Sequence, residues 1–309
     1  MEPISIEGFY DLHVHTGPVS FRRLGDASDV GRMCAAAGMA GMVTKGHFES
    51  TIARAHHANK ELNSSSFKVY AAIALNRGVG GINPAAVELA MDMGAKIVWL
   101  PTLDAANHAR AFGGAGTYGF KAMTLDFKRP STFNKTYTVL DSNGKLSAET
   151  KEVIDIVNAY DAVLATGHIS KEEIYAVADY ALSQKLKRML ITHPEFTVPD
   201  LDLETMIDLT RQGIYLEFCA ANVFPIIGKM TLQQMKDIME AVGPKHAIIS
   251  TDAGQPFHPN PPEMLRSYVQ GLNQKGLSET AIRTMCIDNP AYLLNVAPSN
   301  NPPATGRVN

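Results

Sequence analysis

Gly8-Phe9-Tyr10-Asp11-Leu12-His13-Val14-His15 is a short apolar run that ends on two histidines separated by one residue. On a β-strand, residues i and i+2 project to the same face. Both imidazoles can therefore reach one metal ion from a single strand end. Three later segments end in the same manner. Ala162-Val163-Leu164-Ala165-Thr166-Gly167 runs into His168, Met189-Leu190-Ile191-Thr192 into His193, and Ala247-Ile248-Ile249-Ser250-Thr251 into Asp252. Four apolar strands that each deliver a metal-type ligand at the C-terminal end make a metal-dependent enzyme the first expectation.

Outward from these runs, the chain alternates strand-like and helix-like stretches. Strands are predicted at 8–14, 41–45, 68–75, 96–101, 162–167, 188–192, 214–218 and 247–251. They are short and apolar throughout, as strands buried on both faces are. Helical patterns lie between them at 29–37, 51–62, 84–93, 148–160, 172–184, 203–212 and 232–242. Strands alternating with helices imply a parallel sheet with right-handed crossovers. Eight strands are the number that closes an α/β, (β/α)8 (TIM) barrel, and an open doubly wound sheet is the alternative. In such barrels the chemistry sits at the C-terminal strand ends, which is where His13, His15, His168, His193 and Asp252 fall.

A single barrel domain over 1–296 is expected, with 103–147 as a lid-like insertion after strand four and 297–309 as a mobile tail. Within the insertion, 136–146 reads as a β-hairpin turning at Asn143-Gly144. The 309 residues, 45% hydrophobic, are ample for one core, and 28 Lys+Arg against 31 Asp+Glu argue against a nucleic-acid partner. No stretch approaches the roughly 20 apolar residues of a membrane span. The first residues lack signal-peptide order, and three widely spaced cysteines, Cys34, Cys219 and Cys286, read as free thiols in a reducing compartment. The expected setting is the cytoplasm and the expected partner a small-molecule substrate. A barrel of this size is also a candidate homo-oligomer.

Imidazoles with a carboxylate suit zinc, and also manganese, iron or nickel. Asp252 is the natural proton carrier, accepting a proton from an attacking water and returning it to the leaving group. Lys45, which ends strand two, can act as a carboxylated bridging ligand, a cation for a substrate carboxylate or a base, and its structural alternative is an ion pair with Glu49 or Asp252. Glu217 on strand seven needs a partner if buried, and Lys45, an arginine or a histidine are the candidates. His47, Trp99, Thr102, His108, Arg110, Glu195 and Glu217 are candidates for contact with substrate, with Phe196 and Phe218 adding apolar wall. His56 and His57 read as surface residues, and His246 and His258 as loop residues without a motif.

The arrangement resembles the amidohydrolase superfamily. The matching residues are Asp11-Leu12-His13-Val14-His15, His168, His193 and Asp252, with Ile249-Ser250-Thr251-Asp252-Ala253-Gly254 similar to the family's closing motif and Asp288-Asn289-Pro290-Ala291-Tyr292-Leu293-Leu294 similar to its last helix. Thr192-His193-Pro194-Glu195-Phe196 and Val98-Trp99-Leu100-Pro101-Thr102 look closest to a poorly characterised branch. The resemblance implies one metal on His13, His15 and Asp252, with His168 and His193 holding a second metal or orienting substrate. Two-metal members carry a carboxylated lysine or a glutamate at the end of strand four. Trp99-Leu100-Pro101-Thr102 offers neither, so one zinc or two, with or without Lys45, stays open.

Hydrolysis of an amide, cyclic amide, ester or lactone in a small, aromatic or heterocyclic molecule is the leading expectation. Decarboxylation of an aromatic or unsaturated acid is the alternative, with Arg22, Arg23, Arg110 or Lys45 clamping the carboxylate. A phosphoesterase reading, of the polymerase-and-histidinol-phosphatase kind, draws on the similarity of Asp11-Leu12-His13-Val14-His15-Thr16 to that family's first motif, but Lys45-Gly46-His47 stands where the family normally offers an Asp-His pair after strand two, and an eighth strand is present. A metal binder without catalysis is the last reading.

Overall fold

The computed structural model describes residues 3–119, 123 and 135–297. Its strands are β1 (Tyr10–His15), β2 (Gly41–Lys45), β3 (Lys68–Tyr70), β4 (Ala72–Ala74), β5 (Ile97–Trp99), β6 (Val163–Ala165), β7 (Met189–Thr192), β8 (Tyr215–Cys219) and β9 (Ala247–Ser250). All pairings are parallel and follow chain order. β3 and β4 are the two halves of the strand expected at 68–75, interrupted at Ala71. One ladder holds β1 to β3 and the other β4 to β9. Chain continuity through Ala71 joins them on one side. On the other, Val14 bridges to Ala253, and the His15 amide donates to the Ala253 carbonyl at 2.8 Å. The fold is thus an α/β, (β/α)8 barrel and not an open sheet.

Side chains divide into two layers. Tyr10, Leu12, Val43, Tyr70, Ala72, Ala74, Ile97, Trp99, Val163, Ala165, Leu190, Tyr215 and Ile248 fill the barrel interior, while Val14, Met42, Ile73, Val98, Leu164, Ile191, Leu216, Phe218 and Ile249 pack outward against the helices. Interior alanines face Trp99 and the tyrosines, and this interleaving of small and large residues fills the space between the walls. The helices are α1 (Ala27–Ala36), α2 (Ile52–Leu62), α3 (Pro84–Asp92), α4 (Ala106–Phe112), α5 (Ala148–Ala159), α6 (Lys171–Ser183), α7 (Leu203–Arg211), α8 (Leu232–Val242), α9 (Pro261–Gln274), α10 (Glu279–Arg283) and α11 (Asn289–Leu294). Asp26, Ser170 and Thr231 start α1, α6 and α8 with reciprocal capping boxes. Leu293 and Leu294 of α11 enter the interior cluster from the bottom of the barrel, and a π-helical stretch, Thr284–Asp288, leads into them.

Strand β1 contains the irregularity on which the site is built. Tyr10 pairs with Gly41 and Asp11 with Met42, but Val14 pairs with Thr44. β1 therefore spends one residue more than β2 over this span, as a β-bulge does. Tyr10 and Leu12 point inward. A regular pleat would send His13 and His15 outward with Asp11. The extra residue resets the phase, so that His13 and His15 both turn into the barrel mouth while Val14 faces the helices. Asp11, buried on the outer side, fixes the kink: one carboxylate oxygen accepts from the backbone amides of His13 and Thr251, each at 3.1 Å, and the other from the Thr251 hydroxyl at 2.5 Å. Burial pushes its pKa up to about 6 against those three donors.

The segment 103–147 is only partly described: 120–122 and 124–134, like the tail at 298–309, lie outside the described residues. What is described contains α4, which the strand-and-helix periodicity does not mark. The expected hairpin reduces to a turn, with one antiparallel bridge between Leu140 and Leu146 and the Asp141 amide donating to the Lys145 carbonyl at 2.6 Å. Its return strand is replaced by bonds to other elements. Tyr137 pairs with Ala105, and Glu173 accepts from the Thr138 hydroxyl and the Val139 amide.

Replacing Asp11 by Ala strands three buried donors, each costing roughly 1–3 kcal/mol. The expected loss is about 3 kcal/mol or more in urea unfolding. Asp26→Ala, which removes only a helix cap, is expected to cost about 1 kcal/mol. The three cysteines are all buried with thiol pKa values raised by burial, so Ellman's reagent is expected to label none in the native protein and all of them in denaturant. A native thiol that reacts within seconds would contradict this burial.

Candidate metal centre

Four strand ends converge on one point at the C-terminal mouth. His15 and His13 come from β1, Lys45 from β2, Glu217 from β8 and Asp252 from just beyond β9. Asp252 Oδ1 lies 3.0 Å from His15 Nε2 and 3.3 Å from His13 Nε2. The ligand atoms of His13, His15 and Asp252 all fall within 4.8 Å of one another, a span that one cation can bridge. On its far side, His13 Nδ1 donates to Glu217 Oε2 at 3.0 Å. This fixes the tautomer and leaves the Nε2 lone pair facing the centre, the carboxylate–histidine arrangement that orients metal ligands. Of the three kinds of partner expected for Glu217, the structure supplies the histidine, His13. A second grouping, His13 with Glu217 and Cys219, is a poorer donor set. It uses the Nδ1 already committed to Glu217, and burial raises the Cys219 thiol pKa.

Lys45 Nζ is 2.9 Å from His13 Nε2 and 4.7 Å above the Trp99 ring. Glu49, its alternative partner, binds Arg54 instead. Burial lowers the Lys45 pKa, opposed by the charges of Asp252 and Glu217. Burial also disfavours ionised Asp252, yet His13, the His15 hydrogen bond and Lys45 together hold its carboxyl well below the usual range. Asp252 is the open member of the group, its side chain 18% exposed, so it faces the cavity.

A second histidine group stands beside the first. His168 and His193 have ring centroids 5.0 Å apart, and His193 stacks at 6.0 Å from His13. His168 Nδ1 lies 2.8 Å from His108 Nδ1, and His108 Nε2 lies 2.8 Å from the Thr117 carbonyl. A carbonyl only accepts, so His108 Nε2 carries the proton. Burial lowers the His108 pKa to about 4, so the ring is neutral and its Nδ1 must accept. His168 Nδ1 is then the donor, and His168 Nε2 keeps a free lone pair. Burial likewise lowers His15, His47, His168 and His193, the last to about 4. Neutral imidazoles with exposed lone pairs are what a divalent cation binds, and the donor set fits such an ion.

The strand ends also need special backbone. His193 and Asp252 adopt φ of 30° and 52°, left-handed values that cluster at functional sites. Gly254, at φ 119°, lies against β1 so closely that a Cβ would stand 1.9 Å from the His15 carbonyl oxygen.

Most remaining candidates support the centre from behind. His47 stacks on His15 at 4.6 Å, and its Nδ1 lies 3.2 Å from Thr102 Oγ1. Asn76, which no motif marks, holds both: it donates to the His47 carbonyl at 2.7 Å and to Thr102 Oγ1 at 2.6 Å. Trp99 is fully buried beneath Lys45 and His13, forming the floor. Glu195 is buried, accepts from Asn222 and has its pKa raised by burial to about 7. Two expectations are corrected. Arg110 is exposed and donates to Asn107, whose own amide supports the His168 carbonyl, because α4 turns that side chain away from the barrel. Phe218 packs in the outer layer, since alternation along β8 gives the inward positions to Tyr215 and Glu217. Tyr118 and the guanidinium of Arg23 do reach the mouth, where charge interactions couple both to Asp252.

The fold recurs in solved structures. An amidohydrolase from Pseudomonas aeruginosa superposes with a TM-score of 0.60 at 12% identity, covering 93% of this chain and 95% of that one. The organophosphorus hydrolase from Deinococcus radiodurans gives 0.57 at 12% identity over 93% and 91%. A Xaa-Pro dipeptidase with methionine in its active site gives 0.55 at 16% identity over 94% and 75%. No curated protein matches in sequence. A family model does match, over residues 8–217. The chain carries the barrel fold of the amidohydrolases, and it belongs to the family of unknown function DUF6282.

Proposed function

We propose that the protein is a metal-dependent hydrolase that cleaves a C–N bond (amide or cyclic amide) or an ester or lactone bond in a small molecule. The observation that carries this reading is the convergence of His13 Nε2, His15 Nε2 and the cavity-facing Asp252 Oδ1. His13, His15 and Asp252 would hold the first cation. His168 and His193, with Lys45 as a bridging ligand if it is carboxylated, would hold a second or orient the substrate. A divalent ion such as zinc supplies Lewis acidity and makes a water acidic enough to lose its proton near neutral pH. Asp252 Oδ1 faces His13 Nε2 and His15 Nε2 where the cation would be held, so the other carboxylate oxygen is the one that would take the water's proton and pass it to the leaving group. As a free amine, Lys45 would balance the buried charges of Asp252 and Glu217, and the His108–His168 pair holds an imidazole lone pair toward the substrate side. Solved neighbours named as an organophosphorus hydrolase, a dipeptidase and a lactonase template add support for hydrolysis over other chemistry.

Elemental analysis of the purified protein is expected to find one or two transition-metal ions per chain, and chelation with 1,10-phenanthroline should abolish turnover across a panel of lactones, amides and esters. Asp252→Asn should lower kcat by about 10²–10⁴-fold. Product oxygen should come from labelled solvent water. Release of CO₂ without solvent oxygen would replace hydrolysis by decarboxylation, and full activity in verified metal-free protein would end the metal reading. One ion with a bare Lys45 fits a mononuclear site, and two ions with a carboxylated Lys45 fit a bridged one.

His108→Ala removes the acceptor that fixes the His168 tautomer. An outer partner of this kind changes metal affinity by about 10–100-fold. The variant is expected to lose affinity on that scale in a competition titration with a chromophoric chelator, with unchanged far-UV circular dichroism.

A further inference from the structure

We propose that Arg23 is the recognition residue for a substrate carboxylate, and that the rest of the substrate is an apolar ring or chain seated between Phe112, Tyr118 and Phe196. This deepens the hydrolase reading of the barrel mouth and rests on it. The first observation is a buried cation without a counterion. Nε, Nη1 and Nη2 of Arg23 are all buried and have no hydrogen-bond partner among the described residues. The guanidinium stands 5.6 Å over the Phe21 ring, which in turn abuts His47. It feels the charge of Asp252 without forming a direct ion pair. A buried charge left unpaired is costly, and a guanidinium presents a planar fork that matches a carboxylate in two parallel bonds.

The second observation is that the loop carrying Arg23 is fastened down. The Gly17 amide donates to the Gly25 carbonyl at 2.8 Å, and the Leu24 amide to the Gly254 carbonyl at 2.9 Å. Arg54 holds the Thr16 carbonyl from the α2 side. The guanidinium is therefore held at the rim of the centre, and ordering it does not fall to the ligand.

The third observation supplies the rest of the ligand. A cavity of about 170 Å³ is walled mainly by Phe112, Tyr118, Phe196, Ile226 and Ile227, with Thr197 and Lys229 completing its lining. It adjoins the histidines directly: Phe196 lies 5.2 Å from His193, Phe112 lies 4.6 Å from His108, and Tyr118 lies 6.4 Å from His168. Tyr118 lines this cavity while its ring stands edge-on to His108 and His168 at the mouth, and there it also feels the charges of Arg23 and Asp252. A void of roughly 150 Å³ lined by apolar groups accepts a benzene ring. One guanidinium beside an ionised Asp252 suits a single negative charge better than a dianionic phosphate. The substrate class is accordingly a small aromatic or branched carboxylate.

Benzoate and its uncharged isostere benzamide test this without turnover, by calorimetry on the metal-loaded protein. Benzoate is expected to bind at least tenfold more tightly. Arg23→Gln should erase that difference while metal content stays at the wild-type value, and Arg23→Lys should keep part of it. Because the cation is unpaired, Arg23→Met should raise the Tm of the ligand-free protein. Equal affinity for the two probes, or benzoate binding that survives Arg23→Gln through the metal alone, would overturn the proposal. So would tighter binding of phenylphosphonate than benzoate, or a Tm lowered by Arg23→Met, which would reveal a partner within the chain. A wild-type protein that binds benzoate through Arg23 but holds no metal would leave Arg23 standing and remove the hydrolase reading instead.

Discussion

Asp11 is the constraint on which the site depends. Its carboxylate gathers the His13 amide, the Thr251 amide and the Thr251 hydroxyl, tying the kink in β1 to the end of β9. The same bonds bring His13, His15 and Asp252 together, since Asp252 follows Thr251 directly. The kink costs β1 a regular ladder, and in return one residue of slippage moves two imidazoles from the outer layer to the mouth. Barrel closure and ligand placement are therefore a single event, made at the seam where the last strand meets the first.

Around that seam the electrostatics form a closed system. Asp252 and Glu217 are buried carboxylates, and Lys45 lies within reach of both through His13. Neutral imidazoles fill the space between them. Burial drives His15, His168 and His193 away from their protonated forms, so these donors keep lone pairs at neutral pH. Isolated buried charges would not survive this environment. The carboxylates persist because hydrogen bonds and the lysine compensate them, and the guanidinium of Arg23 is the one charge at the mouth that no described side chain pairs.

Much of this was legible in the sequence because it is written in local pattern. Uniform apolar strands bounded by turns marked all eight barrel strands, and polar residues at strand ends marked the histidines and Asp252. What escaped was information held between segments. The pleat of Tyr10, Leu12 and Val14 in isolation puts the histidines on the outer face, and only the pairing with β2 reveals the bulge. α4 was hidden because Ala106–Phe112 is short and lies in a segment without strand or helix periodicity. Arg110 and Phe218 were assigned to the mouth from proximity in sequence, but helix rotation and strand alternation send them elsewhere. Asn76 has no motif, and its role exists only because the chain beyond β2 and β5 places His47 and Thr102 beside it. Glu217 could be assigned a partner only as a class of residue, since the choice of His13 over Lys45 is decided by side-chain reach.

The Thr117 carbonyl belongs to the long stretch between β5 and α5, outside the barrel strands, yet through His108 it dictates which nitrogen of His168 is basic. Exchanging that loop for another would leave every coordinating letter of the sequence in place. If the new loop withdrew its carbonyl, the proton on His108 could migrate to the other nitrogen and the basicity of His168 would follow. Grafting a loop onto this scaffold is thus an edit to the donor chemistry of an imidazole as well as to access.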